Sequence, residues 1–459
     1  MDLRGKKVLV LGLGDTGLSM ARWLKRRGAI VSVADTRAAP PHAATLAREL
    51  PDVAFEHGDL REASLRAAEL IAISPGIDRR TPAVAAAIRR GTPVAGDIEL
   101  FLQALPQHAR PLPRVIAVTG TNGKSTVTRM AGDICVAAGH DTVVAGNIGT
   151  PVLDTLTAIE NGKTAPGTFV LELSSFQLES TASLNADAAT MLNLSEDHLD
   201  RYDGMADYAA AKARVFHGDG VQVLNRDDAK SAAMALPGRE VLSFGLDAPG
   251  LERAWGIVER DGKAWLARGG HPLMAVDELP IAGLHNAANA LAAGALCHAI
   301  GVADAPIVKA WCEFKGLPHR VEKVATIDGV NYYDDSKGTN VGSTVAALNG
   351  FTQPVVLIAG GDGKGQDFSP LREPVKRRAR AVVLIGRDRE QIASAIAGSG
   401  VAIERADDMA AAVRLARAAS RSGDAVLLSP ACASYDMFRN YGHRGEVFAA
   451  AVRKEVARG

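Results

Sequence analysis

The sequence predicts an α/β fold in three domains, each built on a largely parallel sheet. Three observations carry that reading. At 459 residues the chain exceeds what one hydrophobic core usually supports. Short apolar runs ending in Gly, Ser or Asn recur along it, separated by Ala- and Arg-rich segments of helical periodicity. Two Pro- and Gly-rich breaks interrupt the pattern.

The apolar runs are Val8-Leu13, Leu70-Ser74, Val115-Gly120, Thr142-Asn147, Phe169-Leu173, Met191-Leu194, Val355-Gly361, Val382-Gly386 and Ala425-Ser429. Each reads as a buried strand, and alternation with helices makes the sheets parallel, so ligands belong beyond the strands' carboxyl ends. Leu105 to Pro113 holds three prolines and reads as a linker. A second break falls at Lys315-Gly316-Leu317-Pro318, after a helical run from Asn286 to Ile300 that Gly301 would cap. The units expected are therefore 1–108, 109–316 and 317–459. Within the middle one, Asp261-Gly262 between two apolar runs signals a hairpin with a type I′ turn. Lys25-Arg26-Arg27 before Gly28 suits a helix C-terminus, where cations meet the negative end of the dipole.

Composition excludes several classes. Fifty-two Lys plus Arg balance 52 Asp plus Glu, so no global field draws the chain to nucleic acid or to an anionic membrane. No apolar stretch approaches the roughly 20 residues of a membrane helix, which points to a cytoplasmic setting without membrane insertion. Cys135, Cys297, Cys312 and Cys432 are too few and scattered for a disulfide framework and read as buried small hydrophobes.

The most informative segment runs from Val115 to Thr126, a buried strand followed by Gly120-Thr121-Asn122-Gly123-Lys124-Ser125-Thr126 and a helix. Glycines allow close backbone approach, successive N–H groups and the helix dipole receive phosphate oxygens, Lys124 adds a charge, and a hydroxyl can reach Mg²⁺. It is a shortened phosphate loop, since the first Gly of the usual spacing would fall at Val118. Gly12-Leu13-Gly14-Asp15-Thr16-Gly17 fits GxGxxG, with Asp35 ending the next strand where a ribose-binding acid belongs. It suits a dinucleotide, as in a nicotinamide oxidoreductase, or any nucleotide diphosphate, and a plain tight turn is the alternative. Gly360 to Gly365 resembles a third loop, but Gly365 stands where Ser or Thr is needed, so Lys364 reads as a charge at a strand end.

Glu172 ends one strand, and Glu196, Asp197, His198 and Asp200 follow another. Beside a phosphate loop, Glu172 and His198 could hold Mg²⁺, although a hard cation prefers oxygen. On spacing alone, Ser195 or Asp197 reads as a helix cap. Lys212, among small apolar residues, reads as a snorkelling surface residue. Asn286 and Asn289 share a helix face suited to reading a base, with capping as the alternative for Asn286.

Taken together, the strings resemble the Mur ligase family of ATP-dependent peptide-bond-forming enzymes of cell-wall synthesis. They run nearly end to end: GLGDTGLS, SPGI, GDIELF, GTNGKST, GNIG, LELSSFQLE, SEDHLDRY, AAKAR, GLPHR, DSKGTNVGST, GGDGK, DFSPL and LLSPACASYDMF. GTNGK marks the wider family, and SSFQLE and SPACAS mark its D-glutamate-adding branch. Gly338 stands where Ala is usual, which leaves the reactive side chains intact.

The resemblance implies a Rossmann-like first domain that binds UDP, a central phosphate-loop ATPase-like domain, and a Rossmann-like third domain that brings D-glutamate. It implies ligation of D-glutamate to UDP-N-acetylmuramoyl-L-alanine by a monomer, through an acyl phosphate. The UDP substrate would meet Thr16, Asp35, Thr36, Arg37, Ser74 and Asn147. ATP would meet Thr121, Asn122, Gly123, Lys124, Ser125, Thr126, Asn286, Asn289, Arg320 and Asp335. Mg²⁺, as two ions, would sit among Ser125, Glu172, His198 and Lys212, the last as a carbamate whose added CO₂ makes it an oxygen ligand. Lys124, Glu172, His198 and Lys212 form the implied catalytic set. D-Glutamate would meet Lys337, Thr339, Lys364, Ser434, Phe438 and Tyr441.

Overall fold

Strands buried on both faces form wherever the apolar runs lie, because a run such as Ile116-Ala117-Val118, wholly shielded from solvent, has helices on either side. The computed structural model describes residues 2–198, 201–250, 252–281 and 283–456. Leu199 and Asp200, the latter among the acids expected near the site, lie outside the described residues.

Among the described residues, three sheets are present. The first orders β3 (Ala54–His57), β2 (Ile30–Asp35), β1 (Lys7–Leu11), β4 (Leu70–Ile73) and β5 (Val94–Ala95), all parallel. In the second, β7 (Thr142–Gly146), β8 (Thr168–Glu172), β6 (Arg114–Thr119), β9 (Ala188–Met191), β10 (Val221–Asn225), β11 (Val241–Phe244) and β12 (Ala254–Arg260) run parallel. Antiparallel β13 (Lys263–Arg268) and β14 (His271–Ala275) complete it. The third orders β15 (Glu322–Ile327), β16 (Val330–Asp334), β20 (Ala425–Leu428), β17 (Val355–Gly360), β18 (Ala379–Ile385) and β19 (Ala402–Arg405), parallel except for the β15–β16 pair.

Turn chemistry sets the joints. Asp261 and Gly262 both take positive φ, as the type I′ turn between β12 and β13 demands. The helix Leu284–Ala299 ends in a Schellman motif: the Gly301 N–H donates to His298 O at 2.9 Å and the Val302 N–H to Cys297 O at 3.1 Å. In the glycine-rich turn after β1, a Cβ on Gly17 would overlap the Gly12 carbonyl oxygen. The oxygen is backbone and a Cβ has no torsional freedom of its own, so relief requires moving the turn or the helix Asp15–Arg26. Gly17→Ala is expected to destabilise the protein by about 3 kcal/mol, seen as a lower unfolding midpoint in denaturant. An unchanged midpoint would refute the close approach.

Four sequence expectations are corrected, the last being that all the cysteines are buried. The strand placed at Met191-Leu194 ends at Met191, and Leu192 to Leu194 form the loop beyond it. The helix Asp97–His108 carries Pro106 inside it, so the segment without regular structure is confined to 109–113. Pro106 lacks only its own N–H, and the helix is close to its end there. Between the Schellman turn and Lys315 lies a further helix, Asp304–Glu313, that the sequence reading omits. Of the cysteines, Cys312 is exposed, while Cys135 and Cys297 are buried with their sulfurs 3.9 Å apart.

Apolar packing divides the molecule unevenly. One cluster of buried side chains runs from the first sheet, through Trp23, Ile98 and Phe101, into the second, through Phe169, Leu178 and Tyr208. Among the described residues no such cluster joins the second sheet to the third: those of the third sheet are built from residues 321 onward.

Candidate active site

The strand β6 delivers the chain into the phosphate loop, where Gly120 and Gly123 both have positive φ. The helix Lys124–Ala137 follows, and among the described residues no side chain caps its N-terminus. Its first-turn N–H groups, which have no partner within the helix, therefore face the loop's concavity. Lys124 folds over this loop, its Nζ donating to Gly120 O and Thr121 O at 2.8 Å each. Burial lowers the pKa of this amine, while Glu172 and Asp197 pull it the other way.

Neighbouring strand ends supply the rest. Glu172 closes β8 and is 1% exposed. Its Oε1 accepts from Asn147 Nδ2 at 2.9 Å, and its Oε2 is buried without a partner among the described residues. Lys212, on the helix Met205–Ala213, is also 1% exposed, which corrects its reading as a surface residue. Its Nζ donates to Gly120 O at 2.8 Å and lies 4.7 Å from the Tyr208 ring centroid. Burial, reinforced by the Lys124 charge, drives its pKa well below the ordinary lysine value, so the amine is readily neutral.

His198 sits beyond β9 with positive φ, its Nε2 3.6 Å from Asp197 Oδ2. Desolvation lowers its pKa against the pull of Asp197, with Lys364, Lys124 and Lys212 adding to the lowering. Neither Ser195 nor Asp197 caps a described helix, because the next one starts at Met205 after Gly204. Ser195 instead braces the phosphate loop: its N–H donates to Thr121 Oγ1 and its carbonyl accepts from the same hydroxyl. Asn193 does likewise, accepting from the Asn122 N–H at 2.8 Å and donating to Asn122 O at 3.1 Å.

A cleft of about 380 Å³ opens between the second and third sheets. It gathers Asn122, Gly123, Thr126, Asn286, Asn289, Arg320 and Asp335, seven of the ten residues expected to meet ATP. Asn286 is not a cap, since Gly283 precedes the helix; its Oδ1 accepts from Asn289 Nδ2 at 3.3 Å. A Cβ on Gly123 would press on Asn289 Oδ1, so the loop and this helix are in direct apposition. Arg320 reaches across from the third unit to donate to Ser125 Oγ at 2.9 Å. Asp335, buried, has its pKa pushed up to about 7 despite the Ser429 hydroxyl and Arg320.

Gly338 bears on that carboxyl. A Cβ there would lie 2.8 Å from Asp335 Oδ2 and 2.9 Å from Ser429 Oγ, so an Ala would crowd the pair. With glycine at this position the Ser429–Asp335 hydrogen bond forms unobstructed at 2.7 Å.

The seam between these two units is stitched by polar side chains. Asn340 Nδ2 donates to Asn122 Oδ1 at 3.1 Å and to Asp197 Oδ2 at 3.3 Å, and Ser343 Oγ donates to Asn122 Oδ1 at 2.6 Å. Lys364 Nζ stands 3.9 Å from Asp197 Oδ1. Lys337, Ser434 and Lys364 follow β16, β20 and β17, three adjacent strands, so their loops share one carboxyl edge. The Lys337 ammonium lies 3.7 Å from the Tyr441 ring centroid, and burial brings its pKa down to about 8. Ser434 is buried, Thr339 is half-buried, and Phe438 packs against the third unit's core.

At the first sheet, Thr16, Asp35 and Ser74 lie at the carboxyl ends of β1, β2 and β4, with Thr36 and Arg37 exposed beside them. Asp35 is wholly committed to the protein: it accepts from the Leu13 N–H at 2.6 Å and from Arg37 N, Nε and Nη2 at 2.6–2.9 Å. Burial raises its pKa, but these partners prevail and hold it below the usual value. Asn147 stands apart from this group, on Glu172 of the second sheet.

Comparison with known proteins accords with this arrangement. The family description "Mur ligase MurD-like, N-terminal domain" matches residues 6–96, "Mur ligase middle domain" residues 118–297, and "Mur ligase, glutamate ligase domain" residues 319–432. The chain belongs to the Mur ligase family. This Mur ligase is 58% identical to a UDP-N-acetylmuramoylalanine--D-glutamate ligase of Thiobacillus denitrificans, over all of this chain and 98% of that one. It is equally identical to a protein of the same name from Methylobacillus flagellatus, over the whole of both chains. In fold, the Mur ligase resembles the UDP-N-acetylmuramate-alanine ligase MurC of Thermotoga maritima (TM-score 0.61, 18% identity, 98% of this chain and 100% of that one). MurF of Acinetobacter baumannii is similar (TM-score 0.62, 18% identity, 98% and 91%).

The sequence reading missed Asn193, Asn340 and Ser343, which hold the Mur ligase's phosphate loop and seam. A polar residue in a loop carries no periodic signal; only the strand ends just before Asn193 hinted at its place.

Proposed function

We propose that this Mur ligase joins D-glutamate to UDP-N-acetylmuramoyl-L-alanine at the expense of ATP, in the synthesis of peptidoglycan precursors. The reading takes 1–108 as the UDP-substrate unit, 109–316 as the ATP unit and 317–459 as the amino-acid unit, acting as a monomer in the cytoplasm. Among the described residues, no helix is long and apolar enough to cross a membrane.

The chemistry follows from what a carboxylate lacks. As an acylating agent it is inert, so an oxygen of the substrate carboxylate first attacks the γ-phosphorus of ATP and the bond to ADP breaks. The amine of D-glutamate, having lost a proton, then attacks the acyl-phosphate carbon, and phosphate leaves. Lys124 and the first-turn N–H groups counter charge on the phosphoryl group, and Arg320 fixes the loop from the opposite side. Asn286 and Asn289 would read the base. The unpartnered Glu172 Oε2, the Ser125 hydroxyl and His198 fit a site for Mg²⁺, with Lys212 joining them as a carbamate. Bound there, Mg²⁺ would offset phosphate charge.

One observation carries the acceptor. Lys337, Lys364 and Ser434 lie on adjacent loops of one sheet edge, which groups two cations and a hydroxyl there, as a dicarboxylic amino acid requires. An acceptor with one carboxylate would engage only one of the two cations and forgo the charge-assisted contact with the other. Phosphate release with UDP-N-acetylmuramoyl-L-alanine should accordingly depend on D-glutamate and not on L-alanine. Lys364→Ala should raise KM for D-glutamate about a hundredfold with KM for ATP little changed. Equal use of both amino acids by the parent enzyme would refute the acceptor and leave ligation standing.

A further inference from the structure

We propose that Arg201 is a positioning residue that sets the nucleotide-sugar half of the site against its phosphate half. The inference deepens the ligase reading and rests on it. Arg201 follows the His198 loop and is 9% exposed. Its guanidinium is used from three sides. Nη1 donates to Pro75 O at 2.8 Å, and Nη2 donates to Ile77 O and to Glu179 Oε2, each at 3.2 Å. Its Cζ lies 4.0 Å from the Phe176 ring centroid, and that ring meets the His198 ring at 4.8 Å between centroids.

The two carbonyls belong to the loop after β4. Its first residue, Ser74, bonds through Oγ to Gly12 O at 3.2 Å, and a Cβ on Gly12 would meet both Ser74 and Ile77. The loop therefore carries the glycine-rich turn with it. One planar side chain thus ties the first unit's anion turn to the loop that bears His198. A fork of fixed geometry holds two carbonyls and a carboxylate at set distances, which a flexible ammonium does not.

Such a tie matters because the UDP substrate is anchored at one end and reacts at the other. Its carboxylate reaches the phosphate loop only if the two anchor points keep their separation, and a displacement of about 1 Å can cost on the order of a hundredfold in rate. The units stay docked without Arg201. Ser19 Oγ bonds Asp154 at 2.7 Å, Trp23 Nε1 bonds Glu160 at 3.1 Å, Ser183 Oγ bonds Glu99 at 2.6 Å, and the shared apolar cluster lies beneath them.

The test compares Arg201→Ala, Arg201→Lys and Glu179→Gln in the full-length enzyme, by initial rates and thermal unfolding. Arg201→Ala should lower kcat about thirtyfold or more, with KM for ATP within about twofold of the parent. Arg201→Lys, which keeps the charge and can reach one carbonyl, should recover part of the loss. Glu179→Gln leaves both carbonyl bonds and should cost about threefold. If the alanine variant does not fold, the lysine variant decides, and a kcat within twofold of the parent overturns the proposal. So does a parallel rise in KM for ATP, which would mark general damage. Failure of the parent enzyme to turn over with D-glutamate would instead strike the ligase reading itself.

Discussion

Lys124→Ala should slow ligation by about a thousandfold, corresponding to roughly 4 kcal/mol of lost transition-state stabilisation, while the melting temperature stays within a few degrees of the parent. The ammonium is set within the phosphate loop on two carbonyls, where charge develops on the phosphoryl group as it transfers. Removing it barely disturbs the fold. Gly120 O keeps the Lys212 amine as a partner, and Thr121 O belongs to a loop that borders an open cleft. The measurement is phosphate release at saturating ATP beside a thermal melt. Turnover near that of the parent would sink the phosphate-loop reading.

The second large effect is expected at Lys212. A neutral amine is nucleophilic toward CO₂: the N–C bond forms, a proton leaves, and the carbamate presents two oxygens. Burial and the neighbouring Lys124 charge favour the neutral amine at this position, within the electrostatic reach of Glu172, whose Oε2 has no partner among the described residues. Lys212→Ala should therefore be inactive, by on the order of a thousandfold, and acetate or formate should restore part of the rate by filling the vacated space with a carboxylate. In the parent enzyme, ¹³CO₂ should give a carbamate resonance that the variant lacks. No resonance together with no rescue would leave Lys212 as a plain hydrogen-bond donor to Gly120 O.

Much of this architecture is legible in the chain because buried parallel strands are nearly unbroken apolar runs and their loops need glycine. The phosphate loop, the hairpin at Asp261-Gly262 and the cap at Gly301 are local, and local chemistry is what a sequence displays. What escapes it is settled at a distance. Lys212 looks like a surface lysine until Gly120, 92 residues away, supplies a carbonyl for it. Leu192 and Leu194 extend the apolar run past the end of β9 because they are buried in a loop, and apolar content alone does not separate that from a strand. Asn340 meets Asn122 across 218 residues, with no pattern in either neighbourhood to announce it. Asp35 stands where a ribose-binding acid is expected, and the four donor groups of Leu13 and Arg37 that also meet its carboxylate are not announced by that spacing.

The seam of asparagine, serine and lysine side chains between the second and third units has a thermal consequence. Water can replace each of those partners, so parting the two faces exchanges one set of hydrogen bonds for another and wets little apolar surface. A joint of that kind opens and shuts with almost no change in heat capacity, because that quantity tracks apolar hydration. The enthalpy of opening should therefore stay nearly constant with temperature, and the logarithm of the open-to-shut ratio should fall on a straight line against reciprocal temperature, whereas the first two units, fused by a common oily core, would part only with a large change in heat capacity.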